Sequence, residues 1–236
     1  MIDVKEIRAF LNGAAGGEKS ELAATNYTGS PRVHLGIGAP GLHDFVAELI
    51  TEHKSDLTLD AAIPLLTALY AGETVEEPIL AGLLLAKLPG FRQALSLEIL
   101  EGWLDQLTGW VEVDSTCQST FPPKELYQRW EDWSALLRRL NGSPNINKRR
   151  ASLVLLIRTV RESDDPRGIG LVLELTEPLK HERDKLITKA ISWVLREGAK
   201  RHSEAVSGYV DTHARELAAH IVREVRVKLE TGKKKS

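Results

Sequence analysis

The chain has 236 residues, is 42% hydrophobic and 27% charged, and carries a formal net charge of −2 at pH 7. That is ordinary globular composition, with length for one large domain or two small ones, and the single cysteine, Cys117, excludes an internal disulfide and fits a reducing compartment. The small net charge argues against strong nucleic-acid binding only until the chain is divided: residues 1–140 hold 11 Lys+Arg against 20 Asp+Glu, and residues 141–236 hold 20 against 13, which permits a basic surface on an acidic protein.

Helical periodicity runs through almost the whole chain. It predicts helices over 2–12, 40–54, 59–71, 75–88, 96–107, 110–118, 123–140, 146–162, 167–177, 182–200, 202–210 and 213–229. The first of these, within MIDVKEIRAFLNG, is amphipathic and too charged for a signal peptide. Ile79–Leu85 is the longest apolar run and reads as a buried helix; no stretch approaches a transmembrane span, so a cytoplasmic location is the default expectation. Breakers separate the helices at Gly36–Pro40, Ala71-Gly72, Pro89-Gly90, Pro122-Pro123, Gly142–Pro144 and Asp165-Pro166, and Pro40 and Pro123 suit first helical turns. Strand alternation is absent. Helices with short connections, paired at a spacing of roughly 35–45 residues, predict stacked antiparallel pairs in a curved solenoid with a concave face. A compact irregular bundle is the alternative. The expectation is a single all-α repeat domain over 1–232, followed by a frayed basic tail over 233–236.

Several residues stand out from this background. Trp110 and Asp114 are four apart and share a helix face; the competing use is a core Trp beside a solvated Asp. Trp130 and Trp133 in RWEDW read as core packing. Lys148-Arg149-Arg150 opens the apolar stretch ASLVLLI, with Arg150, Val154, Ile157 and Arg161 along one line. An arginine held in that way suits a phosphate or a carboxylate. The seven histidines show no metal spacing; His213 and His220 alone share a predicted face. Trp193 lies outside the apolar stripe of its own helix, formed by Ile187, Ala190, Ile191, Val194 and Leu195. Its helical neighbours are Lys189, Arg196 and Lys200. An indole on a basic face can stack on a base or hold a cation, or it can close a second interface between helices.

Four segments together resemble the AlkD-like DNA alkylation-repair glycosylases, bacterial enzymes built from HEAT-like repeats. Leu35-Gly36-Ile37 followed by Pro40, with Tyr27 nine residues before Gly36, is similar to that family's LGI-x-x-P helix start. Trp110-x-x-x-Asp114 is similar to its Trp and catalytic Asp, and Arg150 to its active-site Arg. Lys189-Ala190-Ile191-Ser192-Trp193-Val194-Leu195-Arg196-Glu197 is close to its KAIxWVLRE segment and is the most specific of the four. The likeness spans roughly residues 20–225, and this chain departs from the family by a longer stretch between Asp114 and Arg150.

The resemblance implies hydrolysis of the N-glycosidic bond of cationic alkylated purines in duplex DNA, by a monomer without a metal or cofactor. Asp114 would be catalytic. Trp110, Trp193, Tyr27, Arg150, Lys148, Arg149 and Lys189 would contact the lesion and the DNA, converging with Asp114 on a concave basic face. A noncatalytic DNA-structure binder and a protein-interaction solenoid remain the alternatives.

Overall fold

The computed structural model describes residues 3–16, 28–53 and 58–233. Tyr27 and residues 234–236 of the expected tail lie outside the described residues. The chain is all-α; among the described residues the β pairing consists of one isolated bridge between Val33 and Thr74. It divides into two compact units, 1–120 and 121–236.

The first unit contains α1 (Val4–Gly13), α2 (Ala39–Glu52), α3 (Leu59–Tyr70), α4 (Glu76–Lys87), α5 (Pro89–Ala94), α6 (Leu97–Asp105) and α7 (Trp110–Cys117). Helix α4 is the centre, packed against α2, α3 and α7. Its run Leu80, Ala81, Leu84 and Leu85 is fully buried, as the apolar run required. Each buried aliphatic side chain of this kind contributes roughly 1.5–3 kcal/mol of transfer free energy. Pro40 does stand in the first turn of α2. Pro89-Gly90 is not a simple breaker: Pro89 opens the short helix α5, its fixed φ suiting a first helical position.

The second unit contains α8 (Pro123–Gln128), α9 (Trp130–Asn141), α10 (Ile146–Val154), α11 (Ile157–Glu162), α12 (Pro166–Thr176), α13 (Lys185–Gly198), α14 (Ser203–Thr212) and α15 (Ala219–Thr231). Contacts run from α9 to α10, from α10 to α13 and from α13 to α15. Each helix thus buries one face on an earlier element and another on a later one, as in a stacked array.

Two predicted helices are each two. The 123–140 helix breaks at Arg129, whose φ of −125° and ψ of 43° are not helical. The apolar rhythm crosses the break because Leu126 and Trp133 are both buried, and periodicity records burial rather than chain continuity. The 146–162 helix breaks after Val154, where the Leu156 amide donates to Leu153 three residues back. Residues 151–157 are all buried, so no exposed face remains to mark the turn. Helix α13 starts later than predicted, at Lys185, because the Asp184 side chain caps the Leu186 amide. His213 and His220 do not share a helix: His213 follows the end of α14, and His220 lies in α15.

Candidate functional site

Helix α7 has two faces. Glu112, Val113, Thr116 and Cys117 are buried, whereas Trp110, Val111, Asp114 and Ser115 are half-buried. Trp110 and Asp114 therefore share the accessible face, as their spacing of four predicts. Glu112 points into the unit with no exposed surface, and its Oε2 takes a hydrogen bond from Arg32 Nη1 at 2.9 Å and another from the Thr108 amide at 2.8 Å. It is consumed by structure, leaving Asp114 as the accessible carboxylate of α7.

Glycines set the place of this helix. A Cβ on Gly82 of α4 would lie 2.9 Å from the Ser115 carbonyl oxygen, so α4 approaches α7 as closely as backbones allow. A Cβ on Gly109, just before Trp110, would lie 2.6 Å from the Thr28 carbonyl oxygen. Gly29 has a φ of +67°, and its Cβ position is 3.2 Å from Trp110 Cδ1. The 28–30 turn is thus pressed against the start of α7, on the edge of the indole.

Two further carboxylates of the first unit are buried, and both hold loops. Glu76 accepts from the amides of Leu35 (3.0 Å), Gly36 (3.0 Å) and Ile37 (3.4 Å), which explains the Leu-Gly-Ile turn with Gly36 at φ +77°. Glu77 accepts from Arg8 Nε at 2.7 Å and from the amides of Glu73 and Thr74.

In the second unit the candidate residues gather on α10 and α13, which pack together. Arg150 is buried, and its Nη1 donates to the Leu186 carbonyl at 2.6 Å, tying α10 to the first turn of α13. Lys148 is buried beside it in sequence. Arg149 is half-buried and already engaged: Nη1 donates to the carbonyls of Ser143 and Pro144, and Nη2 pairs with Glu182 at 3.1 Å.

On α13 the five stripe residues are fully buried, Trp193 is half-buried and Lys189 is exposed. One basic neighbour of Trp193 departs from expectation. Arg196 is buried, its Nε donating to the Ser192 carbonyl at 3.1 Å and facing Glu224 at 3.6 Å. Ser192 Oγ also donates to Glu224, at 2.6 Å, which joins α13 to α15.

The RWEDW tryptophans part company. Trp133 is core, edge-on to Phe121 at 4.8 Å, as expected. Trp130 is half-buried and stacked on Tyr127, with the Arg167 guanidinium over both rings at 5.3 and 4.8 Å. The sequence reading missed Arg32, Gly29, Gly82 and Gly109. Arg32 and Glu112 are 80 positions apart, and no local pattern links them. Among the described residues no group of three or more His, Cys, Asp or Glu is placed to hold a metal, and no helix is long and apolar enough to cross a membrane.

A family model for DNA alkylation repair enzymes matches residues 12–229. The chain is also similar to a solved structure described as a predicted DNA alkylation repair enzyme from Enterococcus faecalis. The two share 18% identity with a TM-score of 0.74, over 93% of this chain and 98% of the other. At that identity the likeness bears on the fold. No curated protein matches.

Proposed function

Because the chain belongs to the DNA alkylation repair enzyme family, we propose that it is a DNA glycosylase for cationic alkylated purines, 3-methyladenine and 7-methylguanine, in duplex DNA. The observation that carries this reading is the division of labour on α7, where Glu112 is locked inside and Asp114 stays accessible on the face of Trp110.

Alkylation at N3 or N7 makes the purine a cation and therefore a good leaving group. The bond from C1′ to the base nitrogen breaks with its electron pair going to the base, which departs neutral. The sugar is left as an oxocarbenium ion. Asp114, ionised, stabilises that charge and orients a water whose oxygen adds to C1′, the surplus proton passing to the carboxylate or to solvent. The products are the free base and an abasic site. Trp110, on the face of Asp114, holds the cationic base through its π-face, and Trp193 offers a second π-face for a cation, each contact being worth on the order of 1–2 kcal/mol. Arg150, Lys148 and Lys189 neutralise phosphates. The protein acts as a cytoplasmic monomer.

Single-turnover release of 7-methylguanine from duplex DNA tests this. Asp114→Asn keeps the shape and loses the charge, so the rate should fall about 10²–10³-fold while DNA affinity survives. Wild-type protein that binds the methylated duplex and frees no base would make it a noncatalytic binder. Unchanged release by Asp114→Asn would remove Asp114 from the reaction.

A further inference from the structure

We propose that Ser30, Arg32, Thr108 and Glu112 form a latch that orients the accessible face of α7, making them positioning residues for Trp110 and Asp114. The consequence for base release rests on the glycosylase reading; the orientation of Trp110 does not.

The latch lies behind that face. Glu112 Oε2 accepts from Arg32 Nη1 at 2.9 Å and the Thr108 amide at 2.8 Å, and the Thr108 hydroxyl reaches Oε1 at 3.3 Å. Arg32 Nη2 donates to the carbonyls of Tyr70 (2.9 Å) and Gln106 (2.7 Å), so one guanidinium joins the ends of α3 and α6 to α7. The Ser30 hydroxyl bridges to Thr108 Oγ1 at 2.9 Å and accepts the Arg32 amide at 3.2 Å. The 30–32 segment is therefore fastened at two points, to Thr108 just before α7 and to Glu112 within it. Gly29 stands next to the first of them, and a Cβ added there would meet Trp110 Cδ1 at 3.2 Å, so the turn walls the edge of the indole.

Net stability is a poor reason for such a network. Burying an ion pair sacrifices hydration that its attraction does little more than offset, and well-packed apolar residues often fold as well. Charge-assisted hydrogen bonds do supply a fixed register, because the guanidinium fork admits few geometries. Here the register is between the Gly29 wall and the helix bearing Trp110 and Asp114. A lesion gripped by an indole needs that register, since displacement by about 1 Å can cost up to two orders of magnitude in rate.

The test uses the full chain labelled with 5-fluorotryptophan. Of its five tryptophan resonances, that of Trp110 is identified by its loss in Trp110→Phe. Thr108→Val removes the bridging hydroxyl without stranding a buried charge, Thr108→Ser keeps it, and Gly29→Ala perturbs the wall directly. In Thr108→Val and Gly29→Ala the Trp110 resonance should move while the other four stay. Single-turnover release should slow by on the order of tenfold, with affinity for undamaged duplex nearly constant. Thr108→Ser should behave as wild type. A Trp110 resonance that stays in place, or a rate that stays at the wild-type level while the resonance moves, would overturn the proposal. If wild-type protein frees no base and the resonance still moves, the latch stands and the glycosylase reading fails.

Discussion

The two units bury opposite charges. Residues 1–120 carry 7 Lys+Arg against 17 Asp+Glu, and residues 121–236 carry 24 against 16. The buried charged residues follow the same division: Glu76, Glu77, Glu112 and Arg92 in the first unit, Lys148, Arg150, Arg196 and Glu125 in the second. In the first unit the carboxylates act as struts, each gathering loop amides or an arginine. A buried carboxylate with several donors can fix segments of irregular backbone, which an aliphatic side chain cannot. In the second unit Arg150 and Arg196 donate to helix carbonyls, and further positive charge lies at the surface on residues such as Lys185 and Lys189. Negative charge inside one unit and positive charge outside the other answer different needs. The first fixes irregular loops inside the unit, the second leaves basic side chains at the surface.

The sharpest way to break this comparison is to strand a strut. Arg32→Leu leaves Glu112 charged and buried, and unfolding in urea should show a loss of about 3–5 kcal/mol. A loss well under 1 kcal/mol would mean that the buried carboxylates of the first unit hold nothing together. Next in size is the contrast between two tryptophans of the second unit. Trp133→Ala should cost about 3–5 kcal/mol of stability, as a core truncation does. Trp193→Ala should cost much less and instead slow base release about five- to thirtyfold, the rate equivalent of one cation–π contact. Equal losses of stability would return Trp193 to the core.

Smaller effects sharpen the surface half of the comparison. Lys189→Ala should weaken binding to any duplex alike and lower the slope of log K against log salt by about 1. An unchanged slope would put the DNA path elsewhere. The smallest effect is electrostatic. Hydrogen bonds from His213 and then Lys180 hold the Glu216 carboxyl down to about 2. Its folded value lies below its unfolded one, so its contribution is complete above about pH 4.5 and fades as pH falls towards 2. The urea midpoint should drop over that window in wild type and drop less in Glu216→Gln; parallel curves would show that this cluster contributes no acid sensitivity.

Not all of the candidate site was equally legible. The pairing of Trp110 with Asp114, and the position of Trp193 off its stripe, follow from spacing along single helices. Any chain turning 100° per residue places such residues alike, and α7 and α13 bear this out. Arg196 misled because its helical angle puts it beside Trp193, whereas packing of α13 against α15 covers it. Arg149 reads as a free cation in KRRA, yet the loop before α10 folds back to occupy it with two carbonyls. Trp130 and Trp133 look equivalent in RWEDW, but the helix begins at Trp130, so one ring faces the core and the other stacks at the unit's surface.

By itself the sequence determined the all-α class, the buried stripe of most helices, the helix starts at Pro40 and Pro123, and the residues carrying the family likeness. These depend on local geometry and on solvent aversion, which act over a few residues. Tertiary structure alone decided where the long apolar stretches break, which carboxylate of α7 is used up, and which cations are engaged. Those outcomes depend on partners far away in the chain, such as Arg32 for Glu112 and Leu186 for Arg150, and a buried charge takes its role from whatever donor or acceptor reaches it.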